Sequence, residues 1–159
     1  MKYAAIDIGS NAIRLLIAEV VDNNGVISFK KNSLIRVPLR LGDDAFLDKK
    51  LSERKIIDLL KSMQAFKNLM EVHKVKDYMA CAMREAINGE EVAEKVRNEI
   101  GLNLEIVAGQ REANIIYSSH IDQTLDRKKN YLYIDVGGGS TELSVFTNAQ
   151  MQSSKSFDL

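Results

Sequence analysis

The stretch Tyr3 to Ile17, YAAIDIGSNAIRLLI, returns near the other end of the chain as YLYIDVGGGSTELSV, from Tyr131 to Val145. The two align without a gap at an offset of 128 residues, so that Ile6 meets Ile134, Asp7 meets Asp135, Gly9 meets Gly137 and Leu15 meets Leu143. Each copy is an apolar strand that ends in Asp, turns on Gly and small polar residues, and leaves as a second apolar run. That pattern is a strand–turn–strand with a carboxylate and bare main-chain amides at its tip. Successive N–H groups in such a turn make an anion-binding nest, and a neighbouring carboxylate can hold a hydrated Mg²⁺. Two such tips suggest a phosphate chain gripped from two sides.

Outward from the first copy, residues 2–8 and 13–22 read as strands joined by the turn Gly9–Asn11, and DNNG at 22–25 is a strong hairpin signal because Asn and Gly tolerate positive φ. A third strand is predicted over 26–37, before Pro38, and a loop over 39–50, where LGDDAFLDKK mixes Gly and charge without a period. Ser52 is a good N-cap for a long helix, in which Ile56, Leu59, Leu60, Met63, Phe66, Leu69 and Met70 recur at helical spacing as one apolar face. The spacing further predicts a strand over 78–82, a helix over 90–100 stopped by Gly101, a strand over 104–107 and a helix over 111–119. The polar run DQTLDRKKN at 122–130 is a connector and the expected boundary. Strands first and helix–strand alternation afterwards describe a mixed sheet with helices packed on it. The division that follows is a first lobe over 1–125 and the opening strands of a second, truncated one over 126–159.

Composition narrows the class. Hydrophobic residues make up 45% and charged residues 28% of the 159, as in an ordinary soluble globular protein. Lys plus Arg equals Asp plus Glu at 22 each, so no global excess advertises nucleic acid or an anionic membrane. Cys81 is the single cysteine, which excludes an intrachain disulfide, favours a cytoplasmic setting and, within MACAM, reads as a buried strand position. No apolar stretch at the start is long enough for a signal peptide or a membrane span. His73 and His120 lack any partner motif for metal binding.

The residues at the two tips suit phosphate chemistry. Cleaving a terminal phosphoanhydride needs charge neutralisation on the phosphoryl oxygens, a metal or Arg clamp and an oriented water. Asp7 and Asp135 are candidate Mg²⁺ ligands, although each Asp could equally stabilise its own turn. Gly9, Ser10 and Asn11 form a cradle in the first loop, and Arg14 either reaches a phosphate or pairs with an acid. Gly137, Gly138 and Gly139 let phosphate approach the main chain closely, and Ser140 can donate to it. Arg84 directly follows an apolar strand, where its planar fork could bind phosphate oxygens bidentately; an exposed loop Arg is the plainer reading. Asn88, before Gly89, reads as turn chemistry. Glu112 opens a predicted helix, where interaction with the helix dipole is the default role.

Four segments taken in order, DIGSNAIRLLI from Asp7, ACAMREAING from Ala80, AGQREANIIY from Ala108 and DVGGGSTEL from Asp135, resemble the exopolyphosphatase and guanosine pentaphosphate phosphohydrolase (Ppx/GppA) family. The resemblance covers the whole chain and matches the N-terminal half of such a protein. It implies a ribonuclease H-like (actin-like ATPase) α/β lobe with a mixed five-stranded sheet flanked by helices, followed by the first strands of its twin. It also implies Glu112 as the base that activates water, Arg84 as a catalytic partner, Asp7, Asp135 and Glu142 as metal ligands, and Mg²⁺ as cofactor. Three positions depart from the family pattern: Arg111 stands where a second acid is usual, Ala12 where a hydroxyl is usual, and Cys81 where Thr is common.

The function so implied is a phosphoanhydride hydrolase that releases terminal phosphate from inorganic polyphosphate or guanosine pentaphosphate, with both substrates left open. A non-catalytic phosphate- or nucleotide-binding fragment is the alternative, and another actin-like phosphotransferase a further one. Neither nucleic acid nor membrane is expected as a partner. An unfinished second lobe would expose strand edges at Tyr131–Val136 and Leu143–Phe146, so self-association as a homodimer is expected.

Overall fold

The computed structural model describes residues 1–23, 26–82, 86–106, 125–137 and 140–158, which form two compact units, Met1–Ile106 and Val107–Leu159. In the first, β1 (Lys2–Ile8), β2 (Ile13–Asn23) and β3 (Val26–Val37) run antiparallel as neighbours. After α1 (Leu41–Leu47) and α2 (Glu53–Val72), β4 (Asp77–Ala82) lies parallel to β1. Then α3 (Gly89–Ile100) leads to the short β5 (Glu105–Ile106), parallel to β4. The spatial order β3-β2-β1-β4-β5 is that of a ribonuclease H-like lobe. The sheet is mixed because hairpins build its first half, whereas helical crossovers return the chain in the same direction in its second.

The core follows from alternation. Ala4, Ile6 and Ile8 on β1 and Ile13, Leu15 and Ile17 on β2 point to one face and are buried, in one cluster with Ile56, Leu59, Met63 and Phe66 of α2 and Val92 and Val96 of α3. Each such side chain contributes about 1.5–3 kcal/mol when fully buried. The Ser52 hydroxyl accepts from the Lys55 N–H at 3.4 Å, the expected N-cap, and Gly101 ends α3 at φ 77°. An L-residue there would be strained.

Three expectations are corrected. Residues 39–50 are not all loop, because Leu41 and Ala45, one turn apart, are both fully buried and fold Leu41–Leu47 into α1. At under two turns, such a helix is too short for a period to show in sequence. Asp44, in its first turn, is bound by the Ser52 hydroxyl and by the Ser52 N–H at 2.9 Å; together these hold its carboxyl below the usual range. Cys81 is only half-buried, on the sheet face of Asp7, its register partner, and not on the core face. The third correction concerns the second unit. Its sheet has the order β6-β7-β8, formed by β6 (Asn130–Val136), β7 (Ser140–Thr147) and β8 (Gln150–Asp158), all antiparallel. Leu143–Phe146 therefore lies in a central strand with neighbours on both sides, while Tyr131–Val136 does lie on an edge strand among the described residues. The tight turn joining β7 and β8, Asn148 and Ala149 at φ 55° and 60°, is what brings β8 back to cover that side.

The sequence repeat is also a repeat in register. Ala4 faces Ile17, Ile6 faces Leu15 and Ile8 faces Ile13; at the same offset, Leu132 faces Val145, Ile134 faces Leu143 and Val136 faces Thr141. Even the irregularity against the third strand recurs, between Ile17 and Ala18 in β2 and between Val145 and Phe146 in β7. Such bulges are built features of a sheet.

Candidate functional site

In the first hairpin, β1 delivers Asp7 one residue before its end, and the turn over residues 9–12 follows. The Gly9 N–H donates to the Ala12 carbonyl at 3.2 Å, and a Cβ at Gly9 would stand 3.3 Å from that same oxygen, which favours glycine for this close approach. The carbonyls of Ser10 and Asn11 are turned toward the start of α1, where they accept from the Gly42 N–H at 2.7 Å and the Arg40 N–H at 2.9 Å. Arg40 sits in the left-handed region at φ 51° to make this connection. Among the described residues, the N–H groups of Ser10 and Asn11 have no main-chain acceptor. A loop with its carbonyls tied back and its amides open is the arrangement an anion needs. The helix that was not legible in the sequence is thus what holds the loop.

Arg14 is the register partner of Asp7, and its guanidinium donates to Asp7 Oδ2 at 2.7 Å, with both side chains about half exposed (50% and 55%). Of the two roles open to Arg14, the structure shows the ion pair. In the second hairpin the equivalent partner of Asp135 is Glu142. Directly opposed residues of an antiparallel pair project from one face with Cβ atoms about 5 Å apart, so this tip carries two neighbouring carboxylates. Glu142 is buried and its Oε1 accepts from the Ser156 hydroxyl at 2.8 Å.

A divalent cation fits that pair better than it fits Asp7. Mg²⁺ keeps several waters and takes one or two carboxylates together with substrate phosphates, and opposed acids are stabilised by a charge between them. Among the described residues no group of three His, Cys, Asp or Glu side chains converges on one point. Gly137 directly follows β6, and Ser140 opens β7 opposite Asp158. Gly138, Gly139, Arg84 and Glu112, with Arg111 and His120, lie outside the described residues.

Asn88 is the residue whose structural role sequence reasoning undervalued. Its side chain is buried, accepts from the Leu51 N–H at 2.9 Å and donates to the Leu51 carbonyl at 3.1 Å. It therefore ties the chain that follows β4 to the entrance of α2. An Asn-Gly pair reads as a turn, and nothing local reveals a partner 37 residues away. A cavity of about 480 Å³ between α3 and β5 is lined, among the described residues, by Glu90, Glu94, Arg97 and Glu105 and by none of the predicted site residues. Among the described residues no helix is long and apolar enough to cross a membrane.

Comparison with known proteins agrees with this architecture. The sequence profile of the Ppx/GppA phosphatase family matches residues 17–159. The bifunctional 3-dehydroquinate synthase/phosphatase of Fusobacterium nucleatum is 34% identical over 94% of this chain and 23% of its own length. A putative exopolyphosphatase of Haemophilus influenzae is 28% identical over 91% of this chain and 44% of its own. The crystal structure of the Aquifex aeolicus Ppx/GppA family member superposes with a TM-score of 0.79 at 29% identity, over 99% of this chain and 51% of that one. An exopolyphosphatase from Cytophaga hutchinsonii shares the fold at 21% identity and a TM-score of 0.84, over 100% of this chain and 51% of that one. The chain thus spans about half the length of these solved relatives, and less of the curated ones. With its profile match, its two Asp-Gly hairpins and its sheet order, the chain belongs to the Ppx/GppA phosphatase family.

Proposed function

We propose that this chain is the phosphate-loop portion of a Mg²⁺-dependent phosphohydrolase that releases terminal phosphate from inorganic polyphosphate or guanosine pentaphosphate. The observation that carries the reading is the Asp-tipped hairpin built twice with one register, once with open amides above an Asp–Arg pair and once with opposed carboxylates. The open amides of Ser10 and Asn11, with Gly9 giving close approach and Arg14 beside them, would bind phosphoryl oxygens. Gly137, Gly138, Gly139 and Ser140 would do the same from the second hairpin. Asp135 and Glu142, and Asp7 when Arg14 turns to substrate, would hold the cation, which supplies charge neutralisation to the leaving oxygen. Arg84 would clamp the reacting phosphoryl group.

In the reaction, water attacks the terminal phosphorus as its bond to the bridging oxygen breaks, and Glu112 takes the proton that the water loses. The products are inorganic phosphate and a chain one phosphate shorter. At the helix N-terminus predicted from sequence, where carboxylate basicity would be lowered, positioning would make Glu112 a base. The test is phosphate release from long-chain polyphosphate in Mg²⁺ by the 159-residue chain and by Glu112→Gln. Turnover that falls by about two orders of magnitude or more in the variant, with polyphosphate binding kept, is expected. Binding without turnover in the unsubstituted chain would favour the non-catalytic reading instead. Release undiminished by Glu112→Gln would overturn the assignment of the base.

A further inference from the structure

The cross-strand rows at the two tips extend onto a third strand, and there they differ. In the first unit Asp7 faces Arg14, and Arg14 in turn faces Arg36 of β3. In the second unit Asp135 faces Glu142, and Glu142 faces Ser156 of β8. Glu142 is the most deeply placed member of its row: it is buried, while Asp135 and Ser156 are half-buried. The Ser156 hydroxyl donates to Glu142 Oε1 at 2.8 Å. Two residues along the same strands, Ser144 and Ser154 share a hydroxyl–hydroxyl bond of 2.9 Å that does not involve Glu142.

We propose that Ser156 is a positioning residue for the cation at this tip: its hydroxyl fixes the Glu142 carboxylate in the orientation from which, with Asp135, it holds Mg²⁺. The inference rests on the proposed reading that Asp135 and Glu142 hold the cation. Opposed carboxylates repel, and a Glu side chain has several rotatable bonds through which it can turn away from its neighbour. A hydroxyl that donates to one oxygen restricts those rotations before an ion arrives, so less ordering remains when the ion binds. The bulge between Val145 and Phe146 is what puts Ser156 in this place. Phe146 faces Met151, and unbroken pairing from there would set Lys155 opposite Glu142; the shift sets Ser156 there instead. Lys155 falls on the other face, beside Leu143, with its ammonium 4.9 Å from the centre of the Phe157 ring. A lysine facing Glu142 would neutralise it as Arg14 neutralises Asp7, whereas a serine orients the carboxylate and leaves its charge for a cation.

The test is Mn²⁺ binding to the intact 159-residue chain, read by electron paramagnetic resonance with Mg²⁺ as competitor, so that it does not depend on turnover. Ser156→Ala is expected to weaken binding about tenfold to a hundredfold, as loss of a partner behind a metal ligand does. Ser156→Cys, close in size and a much weaker donor, repeats that comparison without a vacated space. Ser156→Thr keeps the hydroxyl and is expected to retain the unsubstituted affinity. So is Ser144→Ala, which removes a hydroxyl of the same strand pair that does not touch Glu142. In a Glu142→Gln background, Ser156→Ala is expected to add no further loss, because the hydroxyl acts through that carboxylate. Circular dichroism without metal checks the fold of each variant. Unchanged affinity in Ser156→Ala would overturn the proposal and leave the cation reading standing. An equal loss in Ser144→Ala or Ser156→Thr would also overturn it, by assigning the effect to strand packing. Failure of the unsubstituted chain to bind Mn²⁺ up to about 1 mM would overturn the cation reading itself, and the role of Ser156 with it.

Discussion

The hairpin at Asp7 and the hairpin at Asp135 share a pattern, a register and a bulge, and differ in what surrounds them. The first places its apolar side against α2 and α3 and leaves the Asp7–Arg14 side exposed. The second leaves its apolar side exposed and buries Glu142, Ser144 and Phe146 on the other. The tips differ in the same sense: an acid paired to a base in one, an acid facing an acid in the other. A strand–turn–strand therefore specifies geometry and periodicity, its neighbours decide which face is interior, and the residue it places opposite the Asp, Arg14 or Glu142, sets the charge beside that Asp.

The strongest way to break this comparison is to truncate equivalent core positions. Ile6→Ala is expected to cost about 2–5 kcal/mol, as deletions in a closed core do. The equivalent Ile134→Ala is expected to cost less than about 0.5 kcal/mol in the same urea titration. Equal losses would mean that the second apolar face is covered in solution.

Next in size is Asn88→Ala, which strips both partners from the Leu51 main chain at the entrance to α2. It is expected to cost about 2 kcal/mol by the same measurement, because buried polar groups left unsatisfied carry their full desolvation penalty. A loss near zero would show that water replaces the amide, and that α2 does not depend on this anchor to cover the first face.

The smallest effect sharpens the contrast between the tips. Arg14→Glu gives the first hairpin the acidic pair of the second. Its stability cost is expected to stay under about 1 kcal/mol, since exposed ion pairs contribute little. Its signature is cation dependence: Mg²⁺ should raise the melting temperature of the variant more than that of the unsubstituted chain. Identical shifts would argue that opposed carboxylates at such a tip do not suffice to hold the ion.

Much of this architecture was legible because its signals are local. β1, β2 and β3 fall within a residue of the runs that alternation and the DNNG and Pro38 punctuation mark out, and α2 begins at the expected Ser52 cap. The candidate residues Asp7 and Asp135 were found through the repeat, which is a comparison of the chain with itself, whereas Glu142 came from the family resemblance. What escaped depends on distant partners. The helix over Leu41–Leu47 exists because Leu41 and Ala45 find a core, and Asn88 matters because Leu51 lies beside it.

By itself, then, the sequence determined the strand pattern, the two Asp-tipped turns and the offset that relates them, since each is written in spacing between near neighbours or in the repeat, and its four motifs carried the resemblance to the family. Only the tertiary structure decided that α1 ties back the carbonyls of the first loop, that Arg14 meets Asp7, and that the apolar side is closed in one hairpin and open in the other. Burial and charge pairing are properties of what packs against a residue, and the pattern within a strand is the same whichever face is covered.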